Sequence, residues 1–217
     1  MGTKERILTT AVDLFNQTSV AEVSTNHIAK AASISPGNLY YHYPNKEAIV
    51  RAALERMIEA FDKVWTLPEE RRVTLTDLRN TLAAVFDVLW RYRFFYREQV
   101  ALLRRDPELA ARHKEIQAQR VAEQEAYFGR FVTDGVLVTP ADPTHLRTLI
   151  TAGWVIANNW LTFVEASGER VEPGQLRRGT DLILRVLEPY LSADAKTHLN
   201  QGVTYDSSEI HPDRPEA

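Results

Sequence analysis

The segment Ser24–Lys46, with the sequence STNHIAKAASISPGNLYYHYPNK, decides the fold class of the chain. Ser24 and Ser35 each stand where a helix N-cap is favoured, and Pro36 suits the first position of the second helix. Pro44 disfavours helical geometry in the residue before it, so this second helix is predicted to be short. Two short capped helices around a turn are typical of a helix-turn-helix, whose second helix enters the major groove of DNA.

The same segment contains no acidic residue, although the whole chain carries a net charge of −3. Between Val23 and Lys46 its basic groups are two lysines and two histidines, accompanied by hydroxyl and amide donors. A surface of this composition suits phosphate groups. The spacing alone leaves a plainer alternative open, which is a structural helical corner in an enzyme.

The rest of the chain predicts an all-α fold, because apolar residues recur at spacings of three and four and no strand-like alternation appears. We expect a first helix from Lys4 to Gln17 capped by Thr3, and a fourth from Lys46 to about Trp65 capped by Asn45. Further helices are predicted over residues 75–92, 94–104, 107–132, 144–166 and 174–191, with a last turn over 192–199. The segment from Gly202 has no apolar stripe and is assigned no structure.

Composition excludes several kinds of site. The 217 residues include no cysteine, so disulfides, thiolate catalysis and cysteine-ligated metals are ruled out. The six histidines form no pair at metal-ligand spacing, and no nucleophile elbow or phosphate-binding glycine loop is present. We therefore predict no catalytic residue, no metal and no cofactor.

Hydropathy predicts a cytoplasmic protein without a membrane partner. The N-terminus MGTKER leads into an amphipathic stretch rather than the apolar core of a signal peptide. The longest uncharged run, Thr148–Val164, is short for a membrane span and contains several polar residues. A buried helix is the better interpretation of that run.

Several of these residues resemble the tetracycline-repressor-like (TetR) family of transcriptional regulators. The similarity lies in NLYYHY at 38–43, in Asn45-Lys46-Glu47, in Ile28-Ala29 and in Leu14-Phe15. It covers about residues 7–49, and the remainder is similar to the family only in length and helical character. The resemblance implies a DNA-binding domain (1–46), a larger helical domain that binds a ligand and dimerises (47–201), and a tail (202–217).

The resemblance also implies roles for individual residues in binding double-stranded operator DNA. Thr25, Tyr40, His42 and Lys46 match phosphate-contacting positions, although His42 and Lys46 also fit plain surface residues. Three others match positions that face base edges, and Tyr41 is a further candidate that either packs or stacks. The full set of candidates is Thr25, Asn26, Gly37, Asn38, Tyr40, Tyr41, His42 and Lys46. Leu39 and Tyr43 match buried positions that hold the recognition helix against the first helix.

The sequence departs from the family pattern at two turns. Ser33 and Thr18-Ser19 stand where the family often has glycine. A left-handed backbone conformation costs a residue other than glycine about 1 kcal/mol. The geometry of these turns is therefore left open.

The larger domain supplies aromatic residues that suit an apolar pocket between helices, with an ordinary helical core as the alternative. The candidate ligand-binding residues are Trp90, Phe94, Phe95, Phe128, Phe131, Trp154 and Asn158, with Trp160 as a possible far wall. We expect a largely apolar small-molecule effector. A polar or anionic group on it would be held by an asparagine (158 or 159) or by one of four arginines, Arg91, Arg93, Arg97 and Arg130.

The apolar stripes of the last two long helices favour a homodimer, with packing inside one chain as the alternative. The resemblance implies a repressor that a ligand releases from a palindromic operator. Three other functions remain open: a helical enzyme with an incidental helix-turn-helix, a regulator that responds to a partner protein, and an activator.

Overall fold

A computed structural model describes residues 2–138, 142 and 144–201, and it confirms the all-α prediction for them. The helices are α1 (Thr3–Gln17), α2 (Thr25–Ala31), α3 (Pro36–His42), α4 (Lys46–Val64), α5 (Leu75–Arg91), α6 (Arg93–Arg105), α7 (Pro107–Thr133), α8 (Thr144–Ala166), α9 (Gly174–Leu187) and α10 (Ala193–Gln201), with a 3-10 turn at Glu188–Tyr190. Within these ranges the one extended pairing is an isolated bridge between Leu137 and Leu191. The predicted tail and part of the predicted loop before α8 lie outside the described residues.

Local capping fixes most of the helix starts as predicted. The side chains of Ser24, Ser35 and Asn45 accept hydrogen bonds from backbone N–H groups in the first turns of α2, α3 and α4. The prediction that Thr3 caps α1 was wrong, because Thr3 already lies in the helix and Gly2 is the N-cap, without a side-chain bond. The Gly2 carbonyl accepts the first helical bond from Arg6 N–H at 3.0 Å, so the helix extends one residue further.

Two helix ends also differ from the prediction for local reasons. Helix α9 ends at Leu187 rather than at 191, because Pro189 has no N–H to continue the α-helical ladder. Ser33 adopts a φ of +54°, so the turn between α2 and α3 does use the left-handed conformation without glycine. Thr18 has a φ of −127°, so the end of α1 has no such requirement.

Two apolar cores divide the described residues. The first joins α1–α4 to the α5–α6 junction, where Tyr92, Phe94 and Phe95 are almost fully buried. The second is formed by α5 and α7–α10. Phe61 and Val64, at the end of α4, pack against both cores. Helix α4 therefore connects the N-terminal helices with the larger bundle.

No helix in the described part of the chain is both long and apolar enough to cross a bilayer.

Candidate nucleic-acid interface and internal cavities

The α2–α3 pair forms a rigid corner with one exposed polar face. Leu39 and Tyr43 are buried, as predicted for the residues that hold α3 against α1. The hydroxyl groups of Thr25 and Tyr40 are 2.9 Å apart, which joins the start of α2 to the exposed side of α3. Tyr41 is the most exposed large aromatic side chain described, with 85% of its surface accessible. The hydrogen bond between Thr25 and Tyr40 thus holds together two predicted phosphate-contacting residues on neighbouring helices.

The start of α3 is open to solvent. A Cβ atom built on Gly37 would meet no other atom within 4 Å, so packing inside the chain does not require glycine there. The Asn38 side chain is exposed and makes no hydrogen bond to any described residue. Asn26 is also exposed, whereas His42 is half-buried beside the Tyr41 ring. A free amide near a bare backbone is suited to reading base edges.

Lys46 has a role that the sequence did not reveal. Its ammonium donates hydrogen bonds to the carbonyl oxygens of Val20 (2.5 Å), Val23 (2.9 Å) and Ala21 (3.4 Å), which lie in the loop between α1 and α2. Burial and the neighbouring Arg105 lower its pKa. Because an ammonium has three donors, the α1–α2 loop already uses them in this conformation. Lys46 therefore ties the loop to the start of α4.

Helix α6 contacts the N-terminal helices through a second set of polar groups. The buried Asn16 amide donates to the Arg91 carbonyl (2.8 Å) and accepts from Phe94 N–H (3.0 Å), so it bridges the end of α5 and the start of α6. Arg97 donates to the Asn16 carbonyl at 3.2 Å and forms an ion pair with Glu165 at the end of α8. A chain of direct contacts thus runs from α8 through α6 to the end of α1.

Two cavities lie between the helices of the larger bundle. The apolar cavity, of about 60 Å³, is enclosed by α5, α7, α8 and α9, and hydrocarbon side chains make up almost all of its wall. The mixed cavity, of about 110 Å³, lies between α4, α5, α6, α7 and α8. Trp65, Val85, Gln124, Trp154 and Ala157 line both cavities. The Trp154 indole donates to the Gln124 amide oxygen at 2.6 Å, and this pair forms part of the partition between them.

The predicted ligand-binding residues divide between these cavities and the core. Phe128 lines the apolar cavity, Asn158 lines the mixed cavity, and Trp154 lines both. The others line neither one: Phe94 packs against Phe15, Phe95 against His113, Phe131 against Tyr127, and Trp90 lies under the Arg93 guanidinium. Trp160 donates to the Gln175 carbonyl and lies beside Gly179.

The mixed cavity has polar groups on three helices that sequence reasoning missed, except for Asn158. Tyr96 on α6 and Asn158 on α8 make no hydrogen bond to any described residue. His113 on α7 pairs its Nε2 with the Gln99 amide nitrogen at 2.9 Å, and burial lowers its pKa. Burial likewise raises the pKa of Tyr96, so both side chains are uncharged near neutral pH. No periodicity marks such residues, because each belongs to a different helix.

Between Thr151 and Phe163, the outer face of α8 is uncharged and exposed. Val155 and Phe163 are each about three-fifths accessible, and Thr151 and Asn159 lie on the same side of the helix. Leu182 on the neighbouring α9 is also exposed. Most of the predicted α9 stripe instead packs inside the chain, where Gly179, Ile183 and Leu187 are buried.

The sequence matches two family profiles that together cover most of the chain. The profile described as "Bacterial regulatory proteins, tetR family" matches residues 7–53. The TetR profile described as "Bacterial transcriptional repressor" matches residues 56–199, which is more than half of the chain.

Among characterised relatives, the transcriptional regulator RutR of Escherichia coli K12 is 30% identical over 160 residues, covering 69% of this chain and 70% of RutR. The probable regulator YttP of Bacillus subtilis is 28% identical over 45% of this chain. This chain spans about half the length of YttP and of the biofilm regulator IcaR from Staphylococcus epidermidis, at 51% of each.

Solved structures agree with the fold. A TetR-family regulator from Marinobacter aquaeolei VT8 superimposes with a TM-score of 0.83 at 31% identity, covering 93% of this chain and 97% of the other. A complex of SmeT with triclosan gives a TM-score of 0.63 at 21% identity, covering 90% and 94%, which shows a shared fold alone.

Proposed function

The chain belongs to the TetR family of DNA-binding transcriptional regulators, and from that premise we propose that it is a dimeric repressor which a small molecule releases from a palindromic operator. The family consists of regulators rather than enzymes, so the alternative of a helical enzyme is set aside. The palindromic operator, the small-molecule ligand and the second subunit are all parts of this proposal.

One observation carries the proposal: helix α4 touches both the DNA-reading corner and the mixed cavity. At its first residue, Lys46 holds the α1–α2 loop. About two to four turns later, Leu54, Met57 and Phe61 line the cavity. A ligand that moves these side chains therefore moves the element on which α2 and α3 are mounted. Two states that differ in the spacing of the recognition helices would follow from such a shift.

The contacts of α6 offer a second connection between the same two regions. Tyr96 faces the mixed cavity, while Arg97, the next residue, bonds to the last turn of α1. Glu98 accepts a hydrogen bond from Val20 N–H at 2.8 Å, in the loop that Lys46 also holds. Movement of α6 would thus reach the same α1–α2 loop from the other side.

In the DNA complex, we assign Thr25, Tyr40 and His42 to phosphate groups and Asn26, Gly37 and Asn38 to base edges. Tyr41 lies beside these residues and is free to stack or to reach the backbone. Lys46 contributes its charge to the local potential and its three bonds to the position of α2. Loss of Lys46 is therefore expected to weaken binding to all sequences alike.

We assign the uncharged face of α8, together with the exposed part of α9, to the dimer interface. A two-fold axis there would bury Val155, Phe163 and Leu182. Because all three are exposed in the single chain, a charge at any of them should impair association without disturbing the fold. Sedimentation of Phe163→Asp and Leu182→Asp at micromolar concentration tests this, and a folded wild-type monomer under those conditions would refute it.

The test of DNA recognition begins by selecting bound sequences from a random duplex pool. We expect a palindrome, with affinity that falls steeply as salt rises. Asn38→Ala should relax the preference at one base pair per half-site, by about 1–3 kcal/mol. Asn80→Ala, an exposed asparagine on α5, is the matched control and should bind as the wild type does. Equal loss of specific and nonspecific binding in Asn38→Ala would remove it from base readout.

Release by a ligand is tested by measuring ligand affinity with and without operator DNA, because a ligand that weakens DNA binding must itself be weakened by DNA to the same extent. SmeT, which shares the fold, is known in a complex with triclosan, and this supports a small-molecule ligand for the present chain. If ligand binding is a hundredfold weaker on operator-bound protein, the coupling is about 2.7 kcal/mol. A compound that fills the cavity but binds equally well with and without operator is not the inducer. A partner-protein regulator would show no such coupled compound.

A further inference from the structure

We infer that the mixed cavity selects an uncharged, largely apolar molecule that carries a hydrogen-bond acceptor, such as a ketone, ester or lactone carbonyl. The inference rests on the proposed function, because it names the chemical class of the proposed effector. The observation behind it is that some polar side chains of the cavity wall already have a hydrogen-bond or ion-pair partner, whereas others have none in the described part of the chain.

Among the described residues, the only arginine or lysine that lines the mixed cavity is Arg120, and its charge is compensated. Its guanidinium pairs with Asp62 and with Glu123 (3.0 Å), and it also donates to the Ile58 carbonyl at 3.3 Å. The four arginines considered from the sequence line neither cavity. A carboxylate or phosphate entering here would have to compete with two carboxylates for a single guanidinium, after losing its own hydration.

A cationic ligand finds no partner either. In the part of the chain that the structure describes, no aspartate or glutamate lines either cavity, and burial lowers the pKa of His113, which favours its neutral form. Asp62 and Glu123, which pair with the cavity-lining Arg120, are already neutralised by it. A net charge of either sign on the ligand is therefore unfavourable.

The groups of the wall that remain unpaired can each donate a hydrogen bond. The Tyr96 hydroxyl and the Asn158 amide make no hydrogen bond within the described residues. His113 also lines the cavity, and a neutral imidazole has one N–H that can donate. Three helices thus each bring one neutral group able to donate to the wall of a single cavity. These side chains are half-buried, and a ligand that displaces water from them must satisfy their polar groups, which a ligand oxygen that accepts from them would do.

The rest of the wall defines the apolar part of the molecule. Trp154 already donates its N–H to the Gln124 amide oxygen, so the indole offers only ring surface at the partition. Beyond them the apolar cavity offers leucine, isoleucine and valine side chains. A chain or ring attached to the carbonyl would lie against Trp65 and Trp154 and extend toward the apolar cavity.

The experiment compares three nine-carbon probes on the full chain: nonan-2-one, nonanoate and nonylammonium. Binding is measured by calorimetry and by the fluorescence of the tryptophans that line the cavities. We expect the ketone to bind at least tenfold more tightly than either charged probe. Equal or tighter binding of nonanoate or nonylammonium overturns the assignment, and so does the failure of all three to bind.

Single-atom variants locate the carbonyl. Tyr96→Phe removes one hydroxyl and should weaken the ketone about 3–10-fold, the usual effect of one lost hydrogen bond. Tyr190→Phe removes a hydroxyl outside both cavities and is the matched control, expected to bind as the wild type does. Wild-type affinity in both Tyr96→Phe and Asn158→Ala would overturn the assignment of the polar site.

The same probes separate this inference from the proposed function. A ketone that binds as described but leaves operator affinity unchanged supports the ligand class and counts against ligand-released repression. A charged probe that binds and releases operator DNA supports ligand-released repression and overturns the ligand class.

Discussion

Replacing Gly179 with alanine tests whether α9 is packed as closely against its neighbours as the structure requires. A Cβ at this position would lie 2.5 Å from two ring carbons of Phe86 and 2.7 Å from Trp160. Phe86 is fully buried in the second core, so a shift of its ring disturbs the side chains packed around it. Overpacking of this kind costs about 1–3 kcal/mol. Alanine in a helix recovers about 0.8–1.0 kcal/mol relative to glycine. The expected net loss in the free energy of unfolding is about 0–2 kcal/mol.

Gly129 on α7 is the matched control, because an added Cβ there meets nothing within 4 Å. Gly129→Ala should raise the free energy of unfolding by up to about 1 kcal/mol. Urea unfolding of both variants at one protein concentration gives the difference, expected to be about 1–3 kcal/mol. Shortening the opposing ring with Phe86→Leu should reduce the cost of Gly179→Ala, which a double-mutant cycle measures. Equal stabilisation by the two alanines would refute the close approach.

Three further predictions concern other contacts. Asn16→Ala leaves the buried Phe94 N–H without its acceptor and should lower the free energy of unfolding by about 1–3 kcal/mol in urea; a change within 0.5 kcal/mol would contradict the role of this bridge. Arg71 holds the pKa of Asp77 well below its unfolded value of about 3.9, so the stabilisation is present above that pH and is lost as the pH falls. In Asp77→Asn, the free energy of unfolding measured in urea should fall less between neutral and acidic pH than in the wild type. An unchanged pH dependence would count against the Arg71–Asp77 ion pair. Ser33→Gly should be at least as stable as the wild type in thermal unfolding, whereas Ser33→Val should be less stable, because the φ of +54° disfavours β-branched residues.

The helix-turn-helix was predictable because its signals are local. The caps Ser24, Ser35 and Asn45 act on N–H groups three residues away, and Pro36 acts on its own backbone. The buried positions of Leu39 and Tyr43 followed from the family resemblance, and the structure confirms them. Helix caps and proline effects depend on residues only a few positions apart, so the tertiary fold does not alter them.

The lining of the cavities and the partners of Lys46 were decided by tertiary structure alone. Periodicity tells which side of a helix is apolar, but not which neighbouring helix covers it. From the sequence, Phe94 and Phe131 are therefore as good candidates for a cavity wall as Phe128, and only the packing of the helices shows that Phe128 lines a cavity while the other two lie in the core. Lys46 reads as a solvated lysine until the α1–α2 loop, more than twenty residues earlier, lies across the start of α4. A local pattern specifies a helix and its apolar face, whereas a site assembled from several helices depends on how those faces meet.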